Sequence, residues 1–271
     1  MTTIQTQGIA LPRLGLGTFR LTGAAGQAAI ESALALGYRH IDTAEMYGNE
    51  EAVGAAIRAA GVKRAELHVT SKVWHENLAP DAIRRACDAS LKKLGLDALD
   101  LYLVHWPSPA MDLPAVMATM VELRETGRTR AIGVANFTLP LLRRAIDEIG
   151  APVACNQVEC HVYLDQSPLL AYLRAKGVPL VAYCPVAQGR VADDPVLQRI
   201  GARHGVSAGQ VALKWLLDQD GVAAIPKSAR PQGQRANLEA WNLTLDDDDR
   251  SAIAGLPKQR LVNPGFAPRW D

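Results

Sequence analysis

The stretch "PDAIRRACDASLKKLGLDALDLYLVH", residues 80–105, joins two periodicities in one passage. In its first part Ile83, Ala86, Cys87, Leu91 and Leu94 recur on one helical face, with Pro80 near the first turn and Gly95 as terminator. Its last part, "LDLYLVH", is a short, nearly continuous apolar run, as a strand covered on both faces requires. The same alternation extends outward in both directions. The runs "LGLGT", "YRHID", "LHVTSKV", "LDLYLVH", "RAIGVAN", "VACNQVE", "PLVAYC" and "VAAIPK" make eight expected strands. Helical segments lie between them, among them "SPLLAYLRAKG", with Ser167 as N-cap and Pro168 at the first position, and Ser207 to Gly221. Strand-helix alternation implies a parallel sheet. Eight such units in 271 residues predict an α/β fold of the (β/α)8 TIM-barrel class rather than an open doubly wound sheet.

No linker or low-complexity segment interrupts the series, so residues 1–271 read as a single barrel domain. The opening "TIQTQGIALPRLG" reads as a short N-terminal β-hairpin plugging the barrel's bottom. The acidic run in "LDDDDRSAIAGL" reads as a helix first turn complementing the dipole, not as a metal site. A formal net charge of +1 provides no field to draw the chain to nucleic acid or an acidic membrane. No apolar run approaches the ~18 residues of a membrane-spanning helix, and no signal peptide is evident. Cys87, Cys155, Cys160 and Cys184 show no CxxC pairing, as in a reduced, cytoplasmic protein.

The functional face of such a barrel lies at the C-terminal ends of its strands. There the sequence places Asp42, Lys72, His105, Asn136, Gln157 and Lys227, with spacings of 30, 33 and 31 residues between the first four. Tyr47 follows on the loop after Asp42. Each residue alone has a bland reading: a cap, a snorkelling lysine, a core histidine. Six strands ending in hydrogen-bonding groups at one rim favour a shared purpose. A phenol ordinarily titrates near pH 10, and a nearby ammonium is expected to lower that value, with Asp42 holding Lys72 charged. His105 then orients the oxygen being protonated.

The segments "GYRHIDTAEMYGNE", "VTSKVW", "LVHWP", "GVANF", "NQVE" and "IPKS" resemble, in order and spacing, the signature segments of the aldo-keto reductases, across essentially the whole chain. The short loops are similar to those of the small bacterial members. The resemblance implies a catalytic tetrad of Asp42, Tyr47, Lys72 and His105, with hydride passing from NADPH to a carbonyl carbon and Tyr47 protonating the oxygen. It implies cofactor contacts from Gly17, Thr18, Asp42, Asn136, Gln157, Tyr183, Cys184, Pro185, Val186 and Gly189. It also implies that Lys227, Ser228 and Arg230 receive the adenosine 2′-phosphate and that Asn237 meets the adenine. The chain departs from the usual pattern at Ala135, where a serine is common, at Cys184, at Gly233, where an arginine is common, and at Ala236, where a glutamate is.

"GLGTF" lacks the third glycine and the acidic residue of a dinucleotide fingerprint, so an extended cofactor pose across the barrel mouth is expected. Phe19, Met46, Trp74, His105 and Trp106 are the expected substrate walls, and "SPAMDLPAVM" is too short for a large lid. Small aldehydes, dicarbonyls and keto sugars are the expected substrates, reduced by a monomer with no metal. Two rival readings are a Schiff-base aldolase using Lys72 and a non-catalytic NADPH-binding regulatory barrel.

Overall fold

A computed structural model describes residues 2–270. The chain opens with the antiparallel hairpin β1 (Thr3–Thr6) and β2 (Ile9–Pro12), as the sequence predicts. The barrel strands follow: β3 (Leu16–Gly17), β4 (His40–Asp42), β5 (His68–Val73), β6 (Leu99–Val104), β7 (Thr129–Ala135), β8 (Val153–Glu159), β9 (Leu180–Tyr183) and β10 (Val222–Ala224). Each pairs in parallel with its neighbour in chain order. Closure comes from Leu14 bridging Ala224 in parallel and from the Gly15 and Gly17 N–H groups, which donate to Ala224 (2.9 Å) and Pro226 (3.2 Å). The eight expected strands are all present: β8 has the expected bounds, β7 is shifted by one residue, and the other six are shorter.

Alternation along the strands sorts side chains into two layers. Ile41, Val69, Tyr102, Val104, Ile132 and Val134 pack outward against the helices. Leu101, Leu103, Ala131, Ala135, Cys155, Val181 and Ala223 form a second cluster with Ile9 and Leu11 of the hairpin. The hairpin therefore stoppers the barrel, and Thr6 Oγ1 fixes it by donating to the Ala154 carbonyl at 2.9 Å.

The surrounding helices are α1 (Gly23–Ala35), α2 (Glu50–Ala59), α3 (Pro80–Leu94), α4 (Leu113–Glu125), α5 (Leu139–Arg143), α6 (Ser167–Ala175), α7 (Pro195–His204), α8 (Ala208–Leu217), α9 (Pro231–Glu239) and α10 (Asp247–Ala254). Pro80 opens α3 and Gly95 ends it in the left-handed region, as expected. Ser207 caps α8 through a reciprocal box with Gln210, and Asp246 does the same for α10 with Asp249. The acidic run is thus a helix start. Ser167 does not cap α6: it is the first helical residue, Gln166 precedes it, and its hydroxyl turns back to Asp165. Aspartate two residues upstream offers an acceptor that competes with the capping geometry.

Candidate active site

Parallel strands of staggered register bring residues distant in the chain to one rim. Asp42 ends β4, and Lys72 lies on β5 beside it, with Nζ donating to Asp42 Oδ1 at 2.5 Å and to the Thr43 carbonyl at 2.7 Å. Both side chains are buried. An unpaired charge there would be costly, and the pairing with its extra hydrogen bond offsets that cost. Asp42 Oδ2 accepts from Gln157 Nε2 at 2.7 Å, so β8 joins the same network from across the barrel. Asn136, in the left-handed region at φ 60°, donates from Nδ2 to the His105 carbonyl (2.9 Å) and accepts the Tyr183 hydroxyl at Oδ1 (2.8 Å). Six strand ends are thereby tied together in two sets of three, those of β4, β5 and β8 and those of β6, β7 and β9.

Tyr47 sits on a single 3-10 turn, Glu45–Tyr47, that follows β4. Its ring lies 5.2 Å from Lys72 Nζ, 5.1 Å from the Phe19 ring and 5.6 Å from the His105 ring, measured to centroids. The phenol, ammonium, carboxylate and imidazole singled out from sequence therefore do meet at one place.

Their electrostatics differ from the expectation in one respect. Burial, reinforced by Asp42, pushes the Tyr47 phenol well above its ordinary pKa; no acidification by Lys72 is evident. Two causes oppose it. Desolvation disfavours a phenolate, and the positive charge of Lys72 is already neutralised by its 2.5 Å contact with Asp42. Burial also lowers Lys72, with Asp42 pulling the other way. His105 is driven well below its usual value by burial and then by Lys72, so it is neutral. Its Nδ1 is enclosed without a partner, which leaves Nε2 as the ring nitrogen facing the cleft. Lys72, enclosed and doubly hydrogen-bonded, is not placed to attack a carbonyl, which counts against the Schiff-base reading.

The side expected to face a substrate is aromatic. Among the described residues, Phe19 and Met46 are the large apolar side chains that stand exposed, at 46% and 41%. Trp74 stands edge-on to His105 at 5.3 Å. Phe266 contacts Trp74 (5.4 Å), His75 (4.2 Å, stacked) and Trp106 (5.5 Å), and Trp270 contacts Trp106 at 6.0 Å. Phe266 and His75 were not foreseen, because only the returning tail makes them walls. That tail is fastened by Glu159 at the end of β8. Its buried carboxylate accepts from the Leu261 (2.7 Å) and Val262 (3.0 Å) N–H groups and pairs with His161 at 2.9 Å.

Residues expected to meet a cofactor fall into two groups. Tyr183, Cys184, Val186, Gly189, Lys227, Ser228 and Arg230 are at least partly exposed at the strand-end face. Three of the non-glycine residues in left-handed backbone, Cys184, Ala187 and Gln188, cluster in the loop after β9, where such conformations favour a binding function. Gln157 engages Asp42 through Nε2. This set suits a nicotinamide dinucleotide. Burial raises the Cys184 thiol to about 11, so it is an inert thiol rather than a reactive one. Pro185 is buried beneath the loop.

Others are braces. Thr18 is buried, with its hydroxyl on the Asp42 carbonyl at 2.9 Å. A Cβ on Gly17 would lie 2.7 Å from the Ile225 carbonyl oxygen, so glycine is required by strand packing there. Asn237 lies near the buried Tyr38 hydroxyl, which donates to the Gln234 carbonyl at 2.9 Å. A Cβ on Gly233 would meet Ser228 Oγ at 2.5 Å, so a larger residue there requires that hydroxyl to turn away. Gln234, unforeseen, anchors the loop after β10 by donating to the carbonyls of Ala29 (2.7 Å) and Ser228 (3.0 Å).

The profile of the Aldo/keto reductase family matches residues 13–257. The chain belongs to the aldo/keto reductase family. It is 42% identical over 268 residues to "Methylglyoxal reductase DkgB" of Escherichia coli O157:H7, covering 97% of this chain and 100% of that one. It is 39% identical to "Methylglyoxal reductase DkgA" of Escherichia coli strain K12, over 97% and 96% of the two chains. A crystal structure described as "a putative 2,5-diketo-D-gluconic acid reductase B" superposes with a TM-score of 0.96 at 40% identity, covering 100% of this chain and 98% of the other. The aldose reductase of Schistosoma japonicum superposes at 0.91 with 27% identity, over 99% and 98%. Family membership makes the protein an oxidoreductase of the carbonyl-reducing kind that works with a nicotinamide cofactor.

Proposed function

We propose that the protein reduces small aldehydes, dicarbonyls or keto sugars, methylglyoxal and 2,5-diketo-D-gluconate among them, using NADPH and with Tyr47 as proton donor. The observation that carries this reading is the convergence of Tyr47, His105 and the Lys72–Asp42 pair beneath an aromatic wall. The relatives named methylglyoxal reductase support the substrate class.

NADPH, when bound, supplies the hydride. The chain's own groups handle the oxygen. Neutral His105 offers an Nε2–H donor to the carbonyl, aligning it beside Tyr47. The raised phenol is protonated at rest, as a donor must be, and an alkoxide is basic enough to take its proton without prior acidification. An ammonium has three donors, and two are engaged on Asp42 and Thr43, so the third can steady the phenolate as it forms. Asn136 and Gln157 would hold the nicotinamide end of the cofactor, with Tyr183 beside them. Lys227, Ser228 and Arg230 take the 2′-phosphate, which favours NADPH over NADH.

The test is Tyr47→Phe, assayed with methylglyoxal and either NADPH or NADH. The variant is expected to bind NADPH as the parent does and to lose at least about a hundredfold in kcat. Turnover within a few-fold of the parent would refute the assignment of Tyr47, and equal use of NADH would refute that of the 2′-phosphate residues.

A further inference from the structure

The backbone ladder between β4 and β5 ends early. Its last bond runs from the Thr43 N–H to the Thr70 carbonyl at 2.9 Å. Beyond it the chain carrying Tyr47 and the chain carrying Trp74 diverge, yet both must hold position to within a fraction of an ångström for catalysis. One side chain spans the gap. Glu45, the first residue of the 3-10 turn, accepts the Trp74 N–H at Oε2 (2.9 Å) and the Asn77 side-chain amide at Oε1 (2.6 Å). Both donors are neutral, so the carboxylate acts as a two-pronged acceptor rather than as half of an ion pair. Glu45 lies two residues before Tyr47, and Trp74 two residues after Lys72. The Trp74 ring in turn bears edge-on against His105.

We propose that Glu45 is a positioning residue for carbonyl reduction: it braces the turn bearing Tyr47 against the loop bearing Trp74 and so fixes the phenol relative to Lys72, His105 and the substrate wall. The proposal rests on the reading of Tyr47 as proton donor. It predicts that the two hydrogen-bonded contacts, to Trp74 and to Asn77, matter and the charge does not. Glutamine can preserve the pattern: its Oε1 accepts from Trp74, and if the Asn77 amide turns over, its Nε2 donates to Asn77 Oδ1. Alanine preserves neither.

Glu45→Ala, Glu45→Gln, Asn77→Ala and Tyr47→Phe are made in the full chain, with kcat and KM for methylglyoxal, NADPH affinity by fluorescence quenching and Tm measured for each. Glu45→Ala is expected to lower kcat about tenfold or more while NADPH affinity stays within about twofold, and Glu45→Gln to recover kcat to within about threefold of the parent. A Glu45→Ala enzyme whose kcat stays within about twofold of the parent, or one whose NADPH affinity collapses, overturns the proposal. So does a Glu45→Gln enzyme as slow as Glu45→Ala, because charge would then be what matters. If Glu45→Ala fails to fold, Asn77→Ala, which removes one prong's donor, decides: a kcat lowered about threefold or more supports the brace, and an unchanged one refutes it. Full turnover by Tyr47→Phe would bring down the proton-donor reading separately, since the Glu45 variants leave that phenol in place.

Discussion

At Tyr47 a nearby cation and desolvation by crowding side chains act in opposite directions, and desolvation wins. Lys72 was visible in the sequence at its strand end, whereas the crowding of the half-buried Tyr47 ring by Phe19 and His105 comes from the ends of other strands. The consequence is measurable. A phenol raised above 10 stays protonated, and an imidazole lowered below 6.5 stays neutral, so neither changes state between them. The profile of kcat/KM for carbonyl reduction is therefore expected to be flat from about pH 7 to 9. A fall with an apparent pKa near 8 would show that Lys72 does acidify the phenol once the complex forms. Glu45, His75 and Phe266 were illegible for a similar reason. Nothing in "AEMY", "VWHEN" or "PGFAP" signals a partner, because each partner comes from another strand's loop.

Among the elements, closure of the barrel depends on a residue that reads as ordinary in sequence. Arg13, between the hairpin and β3, donates to the Val222 (3.0 Å), Leu217 (2.6 Å) and Gln219 (2.9 Å) carbonyls and lies 5.4 Å from the Trp241 ring. It joins the first strand's approach to the last strand's, where β3 and β10 are only 2 and 3 residues long. Such short strands supply few ladder bonds, so the guanidinium takes over part of the seam. Arg13→Ala is expected to destabilise the protein by about 2–4 kcal/mol, read as a lowered midpoint in urea, because three charged-donor bonds are lost and their carbonyls stay half-buried. A loss under about 0.5 kcal/mol would mean the seam holds without it. The strands and most helix starts were legible, since periodicity and capping are local properties. Ser167 misled because Asp165 competes for its hydroxyl, and the role of Gly233 required sight of Ser228 across the loop.

For the molecule as a whole, the barrel was legible from the count of alternating units, which is a global pattern that survives errors at individual boundaries. Its interior chemistry was less so. His40, His68 and His105 are buried, and burial lowers the pKa of each, most strongly at His68 and His105. In the unfolded chain they take up protons near the ordinary value of about 6.5, while the folded protein refuses them. The unfolded state therefore binds more protons as pH falls through that value, and stability declines by up to about 1.4 kcal/mol per pH unit for each group. Above about pH 7.5 all three are neutral in both states and contribute no slope. Tm is expected to hold level from pH 8 to 7 and then drop toward pH 5; a level Tm down to pH 5 would show that the interior admits the protons. The aromatic wall supplied by Phe266 and Trp270, fastened through Glu159, is translated after all eight strands. A chain emerging from the ribosome can thus finish its scaffold while its mouth is still bare, and discrimination among substrates is the last property it acquires.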